Sequence, residues 1–189
     1  MKLRLLMLAV IVLISACKST NKPENGKNQA TSNLTKISEQ ASKIALSEKS
    51  GGSIFIQHTT PYNEHSVVAD KIKSECHQLG NQLSNSLTKY ATKYNLPLKQ
   101  VNTSLPEQGN VVKLTIDNVF SSGNAFIGHR KSATVTAQLF VDGKMVSETQ
   151  KTRNSAGGFL GGFKGSCSVL AHTVNTLGND IAKWLSKKA

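Results

Sequence analysis

Apolar residues recur along this chain with two periods, and the switches between them outline its elements. Val68, Ile72, Cys76, Leu79, Leu83, Leu87, Tyr90 and Tyr94 step by three or four residues, which places them on one stripe of a long helix. Asn95 and Pro97 end it, because proline cannot continue a helix and restricts the residue before it. Cys167, Leu170, Val174, Leu177, Ile181 and Leu185 form a second stripe, with Ser166 expected as its N-cap.

Between the stripes the period drops to two. Val112, Leu114 and Ile116 alternate with Lys113, Thr115 and Asp117, and Ala133, Val135, Ala137, Leu139 and Val141 share one face of a second strand. Residues Ser121 to Gly128, with Gly123 and Asn124, interrupt the pattern. Asp142-Gly143 signals a two-residue hairpin turn, whose central positions require positive φ. Lys144 to about Arg153 is then the returning strand, and Ile54-Phe55-Ile56 reads as a short strand before the first helix. The order strand, helix, meander, helix indicates an α+β domain. It predicts a small, mostly antiparallel sheet, with a long central helix and a C-terminal helix packed on one face. Residues 51–189 form one domain of ordinary size.

The N-terminus follows other rules. Lys2 and Arg4 precede an apolar run from Leu5 to Ile14, far shorter than the ~20 residues a membrane-spanning helix needs. A basic start, a short apolar stretch and small residues at its end form an export signal. Its last residues, Ile14-Ser15-Ala16-Cys17, resemble the lipobox of bacterial lipoproteins. That resemblance implies removal of residues 1–16 as a signal peptide, a diacylglycerol on the Cys17 thiol and acylation of the freed amine. Such acyl chains anchor stably, each buried methylene adding ~0.8 kcal/mol. Lys18 stands where an Asp retains enterobacterial lipoproteins in the inner membrane, so the expected site is the periplasmic side of the outer membrane. Residues 17–50, rich in Lys, Asn, Ser, Thr and Glu, read as a lipidated tether. Within it Leu34, Ile37, Ala41, Ile44 and Ala45 recur at helical spacing.

Charge and cysteine usage narrow the partners. Removing Lys2 and Arg4, and no acidic residue, from the formal +12 leaves +10, which favours phospholipid headgroups, lipopolysaccharide, acidic glycans or an acidic protein face. Nucleic acid, which an exported chain rarely meets, is not expected. With Cys17 committed to lipid, Cys76 and Cys167 remain, and an oxidising periplasm favours a disulfide between them. The histidines His58, His65, His77, His129 and His172 show no metal-ligand spacing with these cysteines. No metal and no cofactor is expected.

Catalytic patterns are missing. The acidic residues are scattered, Ser166 beside Cys167 lacks a nucleophile-elbow context, and the sequence holds no Gly-x-Ser-x-Gly. His129-Arg130-Lys131 is a local basic cluster before a strand, and is the candidate site for a phosphate or carboxylate. The segment Gly157-Gly158-Phe159-Leu160-Gly161-Gly162-Phe163-Lys164-Gly165 matches no phosphate-binding pattern. Its apolar residues either plug the core between glycine-permitted turns, the favoured reading, or form an apolar loop that touches lipid or a partner.

The region from Val111 to Leu185 resembles small periplasmic lipoprotein domains of the group containing the curli-secretion lipoprotein and the outer-membrane activators of penicillin-binding proteins. The resemblance lies in the strand pair around Val135-Thr136-Ala137-Gln138-Leu139-Phe140-Val141-Asp142-Gly143-Lys144, the Gly-rich stretch and the amphipathic helix after it; the paired cysteines depart from it. It implies a non-enzymatic envelope protein that binds or assists a protein complex. Two alternatives stay open: a binder of anionic lipid, lipopolysaccharide or glycan, and a thiol-dependent hydrolase, which would need Cys76 or Cys167 free.

Overall fold

The computed structural model describes residue 46 and residues 52–124, 128–156 and 165–189. The lipobox, the remainder of the tether with its helical spacing, and residues 157–164 of the Gly-rich segment lie outside the described residues. In chain order the elements are β1 (Ile54–Gln57), β2 (Tyr62–Val68), α1 (Asp70–Glu75), α2 (Leu79–Lys93), β3 (Leu98–Val101), β4 (Asn110–Asn124), β5 (Gly128–Val141), β6 (Lys144–Ala156) and α3 (Ser166–Leu185). The fold is α+β, with a mixed six-stranded sheet ordered β3-β1-β4-β5-β6 and β2 also paired to β4.

The antiparallel β4-β5-β6 meander dominates the sheet. Asp142 and Gly143 adopt φ of 48° and 80° at the β5–β6 turn, the positive pair that such a hairpin requires. β1 and β2 pair in parallel with successive stretches of β4, Ile54 opposite Asn110 and Val68 opposite Val119. Pro61 lies between them, and its carbonyl accepts a 2.9 Å bond from the Ile116 amide. Proline has no N–H to give a ladder, so one extended segment becomes two short strands. A bulge between Ile116 and Asn118 re-registers β4 against β5, turning Val119 inward, where it is buried.

Alternation on β5 buries Ala133, Val135, Ala137 and Leu139 beneath Leu83 and Leu87 of α2 and Leu170, Val174, Leu177 and Ile181 of α3. At about 25 cal/mol per Å² of apolar surface removed from water, this layer is the main stabilising term. The two helices pack closely. A Cβ on Gly178 of α3 would collide with the Ser86 side chain of α2, whose hydroxyl donates to the Asn175 carbonyl at 2.7 Å. The opposite sheet face is a polar ladder. Asp117 accepts bonds from Thr136 at 2.6 Å and from Asn63 and Gln150 at 3.2 Å, and Thr134 bonds Thr152 at 2.9 Å.

Three local expectations change. The long first stripe is divided among three elements: Val68 closes β2, α1 buries none of its six residues, and the chain breaks at Cys76 before α2 begins. A four-residue step fits two strand increments as well as a helical turn, so the stripe runs from β2 into α1, and two successive helices carry it past Cys76. β4 runs on to Asn124, and β5 begins at Gly128, so the interruption is shorter than residues 121–128. Gly165, not Ser166, is the N-cap of α3, and its carbonyl accepts from the Ser168 amide at 3.0 Å. β2 and β3 escape the period-two reading altogether.

Cys76 and Cys167 form a disulfide with Cα atoms 5.2 Å apart across 91 residues. It ties the α1–α2 junction to the first turn of α3. In the chain-entropy model, closing a loop this long contributes about 4–5 kcal/mol.

Candidate functional site

β6 is the outermost strand of the meander, and its inward-facing side chains meet α3. Ser155 bonds Thr173 at 2.8 Å, so the two elements touch at that end. One residue pair along, Arg153 Nε and Nη2 donate to the two carboxylate oxygens of Asp180 at 2.6 and 2.7 Å. This planar fork-to-fork geometry is the stronger form of ion pair. The hydrogen bonds to Asp180, and then its charge, hold the Arg153 guanidinium above its usual pKa.

Beyond that pair the strand and helix diverge into a groove of about 370 Å³, lined by Lys151, Thr152, Arg153, Asp180, Lys183, Trp184 and Lys187. Lys151 and Arg153 reach it because alternate strand residues share a face. Asp180, Lys183, Trp184 and Lys187 reach it because steps of three and four share a helix side, although Lys187 lies two residues past the end of α3. Thr152 turns its hydroxyl to Thr134 on the opposite face, so a groove touching residues 151–153 also meets the main chain between them. With Asp180 engaged by Arg153, three lysines share the groove's lining with a half-buried indole.

The residues singled out from sequence fall elsewhere. Lys131 is 2% exposed, and its Nζ donates to the Ser122 carbonyl at 3.3 Å. Burial lowers its pKa from the ordinary lysine value. Arg130 is exposed on the other sheet face, because neighbours on a strand point to opposite sides. The main chain of His129 pairs with Gly123. These three therefore do not form one basic patch. Cys76 and Cys167 are consumed by their disulfide, and Cys17 lies outside the described residues. Among the described residues no three His, Cys, Asp or Glu side chains gather as metal ligands, and no helix is long and apolar enough to cross a membrane.

A smaller cavity of about 200 Å³ borders the disulfide, lined by Glu75, His77 and Gln82 among others. It has neither the breadth nor the charge of the β6–α3 groove. Sequence reading missed that groove because its parts come from a strand and a helix far apart in the chain. The available signal was the Asp180, Lys183, Trp184, Lys187 spacing, a polar stripe carrying the chain's single tryptophan.

No family model matches the chain, and neither does any curated protein. Among solved structures it is similar to a DUF330 protein from Xanthomonas campestris, with 9% identity, a TM-score of 0.49, and coverage of 70% of this chain and 82% of that one. It is also similar to a PelC dodecamer from Paraburkholderia phytofirmans, with 15% identity, a TM-score of 0.46, and coverage of 78% and 94%. A minor lipoprotein from Acinetobacter baumannii is 13% identical, with a TM-score of 0.44 and coverage of 71% and 92%.

Proposed function

We propose that this chain is a lipid-anchored envelope protein that works by binding: it holds or assists an envelope protein complex from the periplasmic side of the outer membrane, and catalyses nothing. The observation that carries the reading is Ile14-Ser15-Ala16-Cys17, followed by a polar segment and then by a separately folded α+β domain. The acylated Cys17 supplies attachment, and the domain supplies recognition. Pairing of Cys76 with Cys167 supports this over thiol chemistry, because the thiolate and not the disulfide is the nucleophile.

The test has two arms. Mass spectrometry of the mature N-terminus should find an acylated Cys17, and Cys17→Ala should abolish the modification. Recovery of the lipidated protein from its own envelope at moderate salt should then bring down specific proteins that the Cys17→Ala chain recovers poorly. An unmodified N-terminus overturns the anchoring, and recovery of lipid or glycan alone overturns the protein partner.

A second reading is favoured by the groove: a binder of anionic ligand. Lys151, Lys183 and Lys187 face one cleft, and such binding weakens as salt screens it.

A further inference from the structure

The β6–α3 groove has features that go beyond positive charge. Its only guanidinium fork, on Arg153, is already filled by Asp180 through two bonds, so the group best shaped for bidentate phosphate recognition is occupied. What remains is Lys151 on the strand side and Lys183 and Lys187 on the helix side, with Trp184 between the helical pair in sequence. Ammonium groups on long stems act as point charges; carried on two separate elements, they suit anionic groups spread along a ligand. The groove, about 370 Å³, falls within the usual size of organic-ligand sites. A half-buried indole adds a flat apolar wall with a polar edge, a surface that accepts the C–H face of a sugar ring. The Asp180 carboxylate, 16% exposed on its side chain, is turned to Arg153 and leaves the lysine charge uncompensated.

We infer that this groove binds a carboxylated oligosaccharide, a uronate-bearing glycan, with a sugar ring against Trp184 and its carboxylates on Lys151, Lys183 and Lys187. The inference rests on the anionic-ligand reading and narrows it to one ligand class. The helix end explains only part of the charge. Lys183 and Lys187 complement the negative pole of α3, but Lys151 comes from β6 and faces the same cleft.

Trp184 is the only tryptophan of the full chain, so intrinsic fluorescence reports on this groove alone. The detergent-solubilised full chain is titrated with short oligogalacturonates, and in separate arms with neutral dextran oligosaccharides, inorganic phosphate, a single-stranded oligonucleotide, and phosphatidylglycerol mixed into the micelles. The expected result is a saturable change in Trp184 emission with oligogalacturonate, and little with dextran. Affinity should fall roughly tenfold or more as salt is raised, and by a similar factor in Lys183→Glu/Lys187→Glu. The charge-matched Lys89→Glu/Lys93→Glu on α2 should bind as the parent does. Calorimetry on Trp184→Phe keeps a readout when the indole is replaced, and thermal unfolding of each variant separates lost binding from lost folding.

The other outcomes overturn the inference in distinguishable ways. Response to phosphate or phosphatidylglycerol without response to oligogalacturonate removes the glycan and leaves the anionic-ligand reading standing. Tighter binding of the oligonucleotide reassigns the groove to nucleic acid. Equal binding of dextran removes the role of charge. Uronate binding unchanged in Lys183→Glu/Lys187→Glu moves the site elsewhere, and silence toward every probe removes both readings.

Discussion

The two edges of the sheet treat the space between strand and helix in opposite ways. At the β3 edge, Gln100 spans the gap to α2, donating to Thr88 at 2.8 Å and Asn85 at 3.1 Å while bonding His58 at 2.8 Å. At the β6 edge, one hydroxyl pair and one ion pair hold strand to helix, and then the gap opens among lysines. Neutral donors and acceptors can satisfy one another within a fold, whereas an ammonium group has donors only and, where exposed, gives them to water. One edge is thus closed by hydrogen bonds of its own, and the other presents lysines along a groove.

The difference can be broken most forcefully through the link between the two halves. Replacing Cys76 and Cys167 by serine removes a bridge worth about 4–5 kcal/mol, and denaturant unfolding should lose most of that. Gly178→Ala forces α3 away from Ser86 of α2 and should cost about 1–3 kcal/mol, as overpacking does; near-parent stability would mean that the helices can separate freely. A matched pair then sharpens the contrast between edges. Gln100→Ala should cost about 1 kcal/mol, the scale of a hydrogen-bond network partner, whereas Lys187→Ala should lie within about 0.5 kcal/mol and show itself only in ligand binding. Equal losses at both edges would erase the distinction.

The smallest effect is expected at Lys131. Its ammonium is buried and its pKa lowered by desolvation, so the folded state binds fewer protons than the unfolded chain between the lowered value and the ordinary 10.5. Stability relative to Lys131→Met should therefore rise as pH climbs through that window, and the variant should be the more stable below it. Paired melting curves at neutral and alkaline pH check the sign, and parallel curves would remove the desolvation argument.

Much of this architecture could be read from residue order. The β5–β6 hairpin and α3 were legible because their apolar periods are clean and Asp142-Gly143 marks the turn. β2, Tyr-Asn-Glu-His-Ser-Val-Val, was not, because its residues are mostly polar and half-exposed, so only pairing with β4 makes it a strand. The passage from β2 into α1 was hidden by a spacing that two kinds of element share, and the break at Cys76 by having helices on both sides of it. The groove was hidden for a different reason. Adjacency in sequence drew attention to His129-Arg130-Lys131, but a strand sends neighbours to opposite faces. The β6–α3 cleft instead takes lysines such as Lys151 and Lys187 from elements that only the finished sheet and helix bring together.

The bridge between Cys76 and Cys167 also orders events in time. Its loop encloses α2 and all of β3, β4, β5 and β6, so a chain made from its N-terminus cannot close the ring until nearly the whole domain has emerged. Under reducing conditions the two thiols stay apart, and the domain forgoes about 4–5 kcal/mol of a total that for ordinary domains is only about 5–15 kcal/mol. A chain in that reduced state sits closer to unfolding than the oxidised one. Oxidation afterwards works as a ratchet: it completes the structure and makes unfolding harder.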